Sequence, residues 1–226
     1  MPDNQVRTLV IRFNNPLNQN ELSFFRGAVI QAVGDENALL FHNHEGEGFR
    51  YSYPLIQYKR IGGKAALVCI GEGTEEIGKF FSSCNFDVQI GSRSTLLEVE
   101  SVKPDKVLVQ VWDDWFTYRI RRWLPLNREN YEAFQQLESL AEKYALLERL
   151  LVGNMLSFGK GVGVQFGKPI VCRIIDMLGQ QLISYKNVKM MAFDVEFKSN
   201  VSLPDFVGLG KGVSLGMGTV VKWEKK

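Results

Sequence analysis

Hydrophobic and polar positions change period several times along the chain, and each change marks an element. Residues 6–13 alternate apolar and polar side chains (Val6, Leu9 with Val10, Ile11, Phe13) and predict a first strand. The period then lengthens to that of a helix, with Leu22, Phe25, Val29 and Val33 on one face and Gly34 as its stop. Asn18 stands ready to cap this helix, Glu21 follows three residues later, and Leu17 and Leu22 occupy the two staple positions. Gly27 lies inside it at a cost of about 1 kcal/mol relative to alanine, so either another backbone comes close or the glycine is tolerated. Residues 49–59 are rich in aromatic and branched side chains, and 65–70 form a continuous apolar run. Together they predict two strands joined at Gly62-Gly63 by a hairpin turn. Thr74 is the expected cap of a second helix, with Glu75 and Glu76 in its first turn and Ile77, Phe80, Phe81 and Cys84 on its inner face. Residues 86–90 return to strand. The order β-α-β-β-α-β is that of a ferredoxin-like unit, complete by about residue 100.

A strand over 107–111 is claimed by neither half. Residues 116–125 open a second unit, and a long helix follows Asn127, with Tyr131, Phe134, Leu137, Ala141, Tyr144, Leu147 and Leu151 at helical spacing. Strands are expected at 170–178 and 189–197, then a turn at 203–206, a glycine-rich stretch at 208–218 and a closing strand at 219–223. The element order repeats, with the second helix reduced or replaced. The expected fold class is therefore α+β, with two tandem ferredoxin-like (βαββαβ) domains. Residues 1–112 form the first, and residues 113–226 form the second, which carries a glycine-rich loop near its C-terminus.

Composition changes this picture little. An apolar content of 45% with 23% charged residues belongs to a globular protein and excludes a disordered one. A net charge of +2 gives a weak overall field, so an acidic partner must be met by a local patch. The three cysteines are widely spaced, and Cys69 and Cys172 lie in apolar runs, which predicts buried, reduced thiols. The polar opening Pro2-Asp3-Asn4-Gln5 lacks signal-peptide character, and no apolar run approaches ~18 residues. These features predict a cytoplasmic protein with no membrane partner.

Candidate chemistry gathers in three places. Both histidines of the chain, His42 and His44, sit one residue apart in a segment with glycines at 46 and 48. Imidazole exchanges protons near neutrality, so the pair suits an acid/base couple in a turn beside a ligand; a solvated surface loop fits the same spacing. With Glu45 and Glu47 nearby the pair also sketches a metal site. No third scaffold ligand, cysteine pair or His-Glu-x-x-His spacing supports one, so neither metal nor cofactor is expected. Glycines at 208, 210, 212, 216 and 218, with Lys211 and Ser214 among them, make a backbone able to turn amides toward phosphate oxygens; a bulged hairpin needs such glycines equally. Arg119, Arg121 and Arg122 stand among Trp115, Tyr118 and Trp123, a pairing of cations with rings that suits single-stranded nucleic acid or a half-exposed strand. Lys160 follows the long helix, where its charge complements the helix end.

Three stretches carry a resemblance. They are Phe41-His42-Asn43-His44 with Tyr53-Pro54-Leu55-Ile56-Gln57-Tyr58-Lys59, the run 153–161 (Gly153-Asn154-Met155 to Gly159-Lys160-Gly161), and Leu203-Pro204-Asp205-Phe206 running into 208–218. Over nearly its whole length the chain resembles the CRISPR-associated endoribonucleases that cut precursor CRISPR RNA, the b-type branch of the repeat-associated mysterious protein superfamily. The resemblance implies RNA bound across two ferredoxin-like domains and metal-independent cleavage, with the histidine pair as acid and base. It also implies 2′-hydroxyl attack within repeats, leaving a 2′,3′-cyclic phosphate and a 5′-hydroxyl. Tyr51 or Tyr53 is a reserve acid or orienter. RNA binding falls to Lys211, Ser214, Gly210, Gly212, Arg121, Arg122 and Lys160. Met217 departs from the family, which more often has phenylalanine there. The implied partner is CRISPR repeat RNA, with other CRISPR-associated proteins as further candidates, and monomer and homodimer both stay open. The alternatives are a non-catalytic RNA-binding subunit of a CRISPR ribonucleoprotein and a metal-dependent hydrolase.

Overall fold

The computed structural model describes residues 4–34, 39–42, 44–45, 48–49, 53–83 and 85–223, with the backbone alone for 39, 42, 44, 45, 48, 49 and 83. By its internal contacts the chain forms two units. One is Gln5–Val107 with Ser214–Gly216; the other is Met1–Asn4, Leu108–Val213 and Met217–Lys226.

In the first unit, β1 (Gln5–Pro16) buries Ile11 and Phe13 and leads through a 3-10 turn, Gln19–Glu21, into helix α1 (Leu22–Val33). The Asn18 amide donates to the Glu21 carboxylate at 2.7 Å, closing the helix start in the manner its sequence predicts. Leu22, Phe25, Val29 and Val33 are buried, and Gly34 stops the helix with φ 82 while its amide donates to the Ile30 carbonyl. A Cβ on Gly27 would meet nothing within 4 Å, so this glycine is tolerated and no neighbour demands it.

A single helical turn, α2 (Leu39–His42), and two short paired strands, β2 (His44–Glu45) and β3 (Gly48–Phe49), come next. The strand expected over 49–59 is thus two separate pieces. Phe49 pairs back onto His44, and β4 (Ile56–Ile61) begins only after Pro54, which has no amide to give to a ladder. β4 pairs with β5 (Lys64–Ile70) through Gly62 and Gly63, whose φ values of 60 and 84 make the two-residue hairpin turn. Both faces of β5 are buried, which explains its unbroken apolar run.

Thr74 is not the cap expected of it. It lies inside α3 (Gly73–Glu76), and its hydroxyl donates to the Gly71 carbonyl at 2.7 Å. Gly73 opens that turn because a Cβ there would come within 2.5 Å of the Leu55 carbonyl oxygen. α4 (Gly78–Ser83) follows, with Ile77 and Phe80 buried; Cys84 lies outside the described residues. The strand expected at 86–90 exists as β6 (Asp87–Ile90), but it pairs with β7 (Arg93–Leu96) in a separate hairpin. The fourth strand of the main sheet is β8 (Val99–Leu108), and the order is β4-β5-β1-β8. β8 is a mostly exposed edge strand carrying Lys103, Pro104 and Lys106, so it shows little hydrophobic signal.

The second unit repeats the plan. β9 (Val111–Trp123) is followed by α5 (Arg128–Gln136), α6 (Leu140–Gly161), β10 (Cys172–Tyr185), β11 (Val188–Val201) and β12 (Thr219–Lys222), with sheet order β10-β11-β9-β12. Both sheets place their strands in the ferredoxin-like order 2-3-1-4, so the protein is α+β with two such domains in tandem. The single long helix expected after Asn127 is two. Leu137 is extended, and Ser139 caps α6 in a reciprocal pair with Glu142. The β10–β11 hairpin is longer than its apolar residues suggest and turns on Lys186 and Asn187, at φ 50 and 63. Residues 202–218 hold a single 3-10 turn, Val213–Leu215, in place of the second helix. Cys69 and Cys172 are buried free thiols. No helix among the described residues is long and apolar enough to cross a membrane.

Candidate functional site

The histidine segment is anchored from one side by Phe41, which is buried in the first unit's core with Phe25, Tyr58 and Leu67. His42 ends α2, and His44 stands opposite Phe49 in the β2–β3 pair. The side chains of both histidines, and all of Tyr51, lie outside the described residues. Tyr53 is described. It is half-buried, and its phenolic oxygen accepts a hydrogen bond from Gln57 Nε2 at 2.8 Å.

Gln57 belongs to β4, where side chains alternate between faces. Ile56 and Tyr58 enter the core under α1, while Gln57 and Lys59 share the opposite face, and both are no more than 1% exposed. Burial pushes the Lys59 ammonium down to about 7 from its ordinary value. The unfolded chain gives up that proton only near pH 10.5, so stability should rise with pH between about 7 and 10.5. Lys59→Met is accordingly expected to stabilise the protein most below pH 7, and the gain should shrink as pH climbs. Urea midpoints of both proteins at pH 6 and pH 9 check this, and an equal gain at both would show that burial of the charge carries no cost. Gly216 lies against the same strand, where a Cβ would come within 3.3 Å of the Tyr58 carbonyl oxygen and 3.9 Å of Lys59 Cα.

The glycine-rich segment owes its composition to close packing. Gly210, Gly212, Gly216 and Gly218 all have positive φ. A Cβ on Gly210 would press on the Trp123 indole and Asn154 Oδ1, and one on Gly212 on Met217 and the Tyr185 ring. Several amides are already spent inside the protein. Leu209 donates to Gly218, Lys211 to Leu124, Met217 to Gly212 and Gly218 to Arg122. The expectation that loop amides face an anion does not hold for these four. Lys211 is exposed and Ser214 half-buried. Met217 is buried with Leu124 and Ala192.

The stretch 153–161 and the turn 203–206 that leads into the glycine-rich segment are also built into the fold. The Trp123 indole donates to Asn154 at 2.8 Å, and Gly159 leaves room for the Phe166 ring. The Leu203 amide donates to the Tyr118 hydroxyl at 2.8 Å, and the Asp205 carboxylate accepts from the Lys222 amide at 2.7 Å.

Among the arginines, Arg119 is committed. Its guanidinium donates twice to the buried Glu196 carboxylate, at 2.9 and 3.0 Å, and stacks on the Trp223 ring at 3.3 Å. Arg121 is exposed opposite Thr219, in register with β12. Arg122 sits at φ 51, its amide donating to Asp194 at 2.6 Å. Partial burial lowers the pKa of its guanidinium, and the Asp194 carboxylate opposes that. Its carbonyl receives the Gly218 amide, so Arg122 and Lys211 flank one loop, with Tyr185 at the end of β10 beside Gly212. Lys160 is exposed in the last turn of α6, where it complements the helix end. In the sequence Gln57 and Lys59 stand out only as two polar residues at period two within the resembling stretch 53–59.

Both halves of the chain match known domain families. The Cas6b N-terminal domain matches residues 4–107, and the Cas6b C-terminal domain matches residues 110–223. The chain belongs to the Cas6b family. A crystal structure of Cas6b aligns with 97% of this chain and 100% of its own at 28% identity, with a TM-score of 0.88. A second, of a CRISPR RNA processing endoribonuclease Cas6b, covers the same shares at 25% identity and a TM-score of 0.73. An uncharacterized protein of Methanocaldococcus jannaschii is 32% identical over 106 residues, 47% of this chain and 71% of that protein. The fold extends to a type IV Cas6 crRNA endonuclease, at a TM-score of 0.56 and 14% identity. The histidine pair falls within the Cas6b N-terminal match and the glycine-rich segment within the C-terminal one.

Proposed function

We propose that this Cas6b protein is a metal-independent endoribonuclease that cuts precursor CRISPR RNA within its repeats. The observation that carries the reading is family membership across both halves, joined to a histidine pair that is the chain's whole histidine content. RNA brings its own nucleophile, the 2′-hydroxyl beside each phosphate. A base removes the 2′ proton, the oxygen attacks phosphorus, and an acid protonates the departing 5′-oxygen. His42 and His44 take these roles, with Tyr51 or Tyr53 as the additional donor. Residues 1–112 hold the acid/base groups. Residues 113–226 supply the RNA contacts, through Lys211, Ser214, Arg121, Arg122 and Lys160 along the glycine-rich segment and its surroundings. Gly210 and Gly212 serve by letting the chain fold tightly there. The deciding experiment is incubation with CRISPR-repeat RNA in EDTA. A product with a 2′,3′-cyclic phosphate and a 5′-hydroxyl is expected. Intact RNA that nonetheless stays bound would identify a non-catalytic subunit, and loss of cutting only with chelator would identify a metal-dependent hydrolase.

Lys211→Ala should weaken RNA binding and flatten its salt dependence. One lost phosphate contact on a single strand changes the slope of log K against log salt by roughly 0.7. Titrations at several KCl concentrations measure this, and an unchanged slope with normal affinity would remove Lys211 from the interface. Arg121→Ala should act in the same direction, since Arg121 is exposed and Arg119 beside it is already engaged by Glu196.

A further inference from the structure

We propose that the open face of the second unit's sheet holds a pocket for one unpaired RNA base, read by Glu196, Thr117 and Lys198, with cytosine as the preferred base. The inference rests on the RNA-binding part of the proposed function and is independent of cleavage. Thr117 and Arg119 of β9 stand in register with Lys198 and Glu196 of β11. Tyr118 and Phe197, which alternate with them, enter the core, so these four residues share the opposite face. Thr117, Glu196 and Lys198, with Ile175 of β10, line a concavity of about 300 Å³, the size of a small ligand site. Ile175 is the extra residue of a β-bulge between Ile174 and Asp176, and the bulge turns its side chain onto this wall.

Glu196 is the group that points to a ligand. It is 3% exposed, and a carboxylate so buried is normally fully paired. Here both Arg119 hydrogen bonds end on one oxygen, Oε2, and the Trp223 ring holds the guanidinium flat. Oε1 receives no hydrogen bond from any described group. Neither the Thr117 hydroxyl nor the Lys198 ammonium has a partner among the described residues. The pocket therefore offers one acceptor beside two donors. Cytosine presents the complement on its Watson–Crick edge: an amino group to give to Oε1, then N3 and O2 to accept from Thr117 and Lys198. Adenine has the amino group and one acceptor. Guanine needs two adjacent acceptors, of which Arg119 has taken one, and uracil shows a carbonyl where an amino group is required. Asp176, opposite Glu196 in register, adds a negative group that disfavours a phosphate in the pocket itself. Arg121, exposed two residues past Arg119 on the same strand face, is placed to take a neighbouring phosphate.

Fluorescence anisotropy with 2′-O-methyl hexamers tests this, because they lack the nucleophile and stay uncut. The wild type should bind hexacytidine about 10-fold tighter than hexauridine, the scale of one base-edge contact, with hexaadenosine between them. Dimethylation of the cytosine amino groups should lower hexacytidine to the level of hexauridine. Glu196→Gln should reverse the order of cytosine and uracil. Arg119 can only donate, so it keeps the amide oxygen and turns the amide N–H toward the pocket, where the uracil carbonyl accepts it. Thr117→Val and Lys198→Met should each shrink the cytosine preference several-fold with melting temperature near wild type, and they carry the test if Glu196→Gln fails to fold. Equal wild-type affinity for all three hexamers, or dimethylated hexacytidine bound as tightly as the unmodified one, would overturn the proposal. So would cytidine monophosphate binding as tightly as the hexamer, since a free nucleotide would then be the ligand. A wild type that prefers cytosine yet leaves repeat RNA intact sinks the nuclease reading and leaves the pocket standing. One that cuts repeat RNA and shows no preference among the hexamers does the reverse.

Discussion

A repeat RNA carrying one 2′-deoxynucleotide on the 5′ side of the cut should bind normally and remain intact. That change removes the nucleophile and leaves nearly every contact in place, so binding and chemistry separate cleanly. His42→Ala and His44→Ala should each reduce the single-turnover rate by about 10²–10⁴-fold, the range for one acid/base group, with RNA affinity little changed. Activity should follow a bell in pH, with apparent pKa values that belong to the pair and not to either ring. Measured rates across pH 5–9 for the wild type and both variants check this. Wild-type rates in both alanine variants would make the segment ordinary surface. A large effect from only one of them would move the second proton to a tyrosine, and Tyr51→Phe would then be compared with Tyr53→Phe.

Gly218→Val should cause the largest loss of stability of any single change in the glycine-rich segment. Gly218 has φ 60, and a Cβ there would fall on the Leu209 carbonyl, between two chain segments that also exchange the Leu209-to-Gly218 hydrogen bond. A branched residue at positive φ adds strain of about 1–3 kcal/mol, and the clash forces the backbone apart in addition. A total of about 3 kcal/mol or more is expected, a drop of roughly 6–12 °C in Tm for a chain of this size. Gly153 makes the contrast. It is an exposed glycine within α6 whose Cβ would meet nothing within 4 Å, so Gly153→Ala should raise stability by up to about 1 kcal/mol. Thermal melts of the two variants side by side decide the matter. A Gly218→Val protein that melts with the wild type would mean the segment has room to move apart.

This contrast bears on how the glycine-rich segment serves RNA. Its glycines let Trp123, Tyr185, Met217 and Leu209 pack against backbone, and its amides at 209, 211, 217 and 218 are used internally. The segment is therefore a tightly folded platform from which Lys211 projects. Charge at that platform is the quantity that mutation of Lys211 should change.

Much of the fold was legible in the chain because its signals are local. The start of α1 is written in Asn18 and Glu21, the β4–β5 turn in Gly62-Gly63, and the twice-repeated element order in changes of hydrophobic period. Such features depend on φ, ψ and neighbours within a turn, so sequence alone determined them. The two histidines, one residue apart, were equally plain. Partner choice was decided only by tertiary structure. The alternation at 86–90 announces a strand but not which strand it pairs with, and the sheet is instead closed by β8, whose charged edge conceals it. Arg119 looks like a nucleic-acid contact until Glu196, 77 residues away, and Trp223 are brought to it. Gln57 reads as one polar residue in a strand until the fold buries it and sets it against the Tyr53 hydroxyl. In each case the deciding contact joins groups whose meeting no local rule encodes, because burial and long-range pairing are properties of the folded chain.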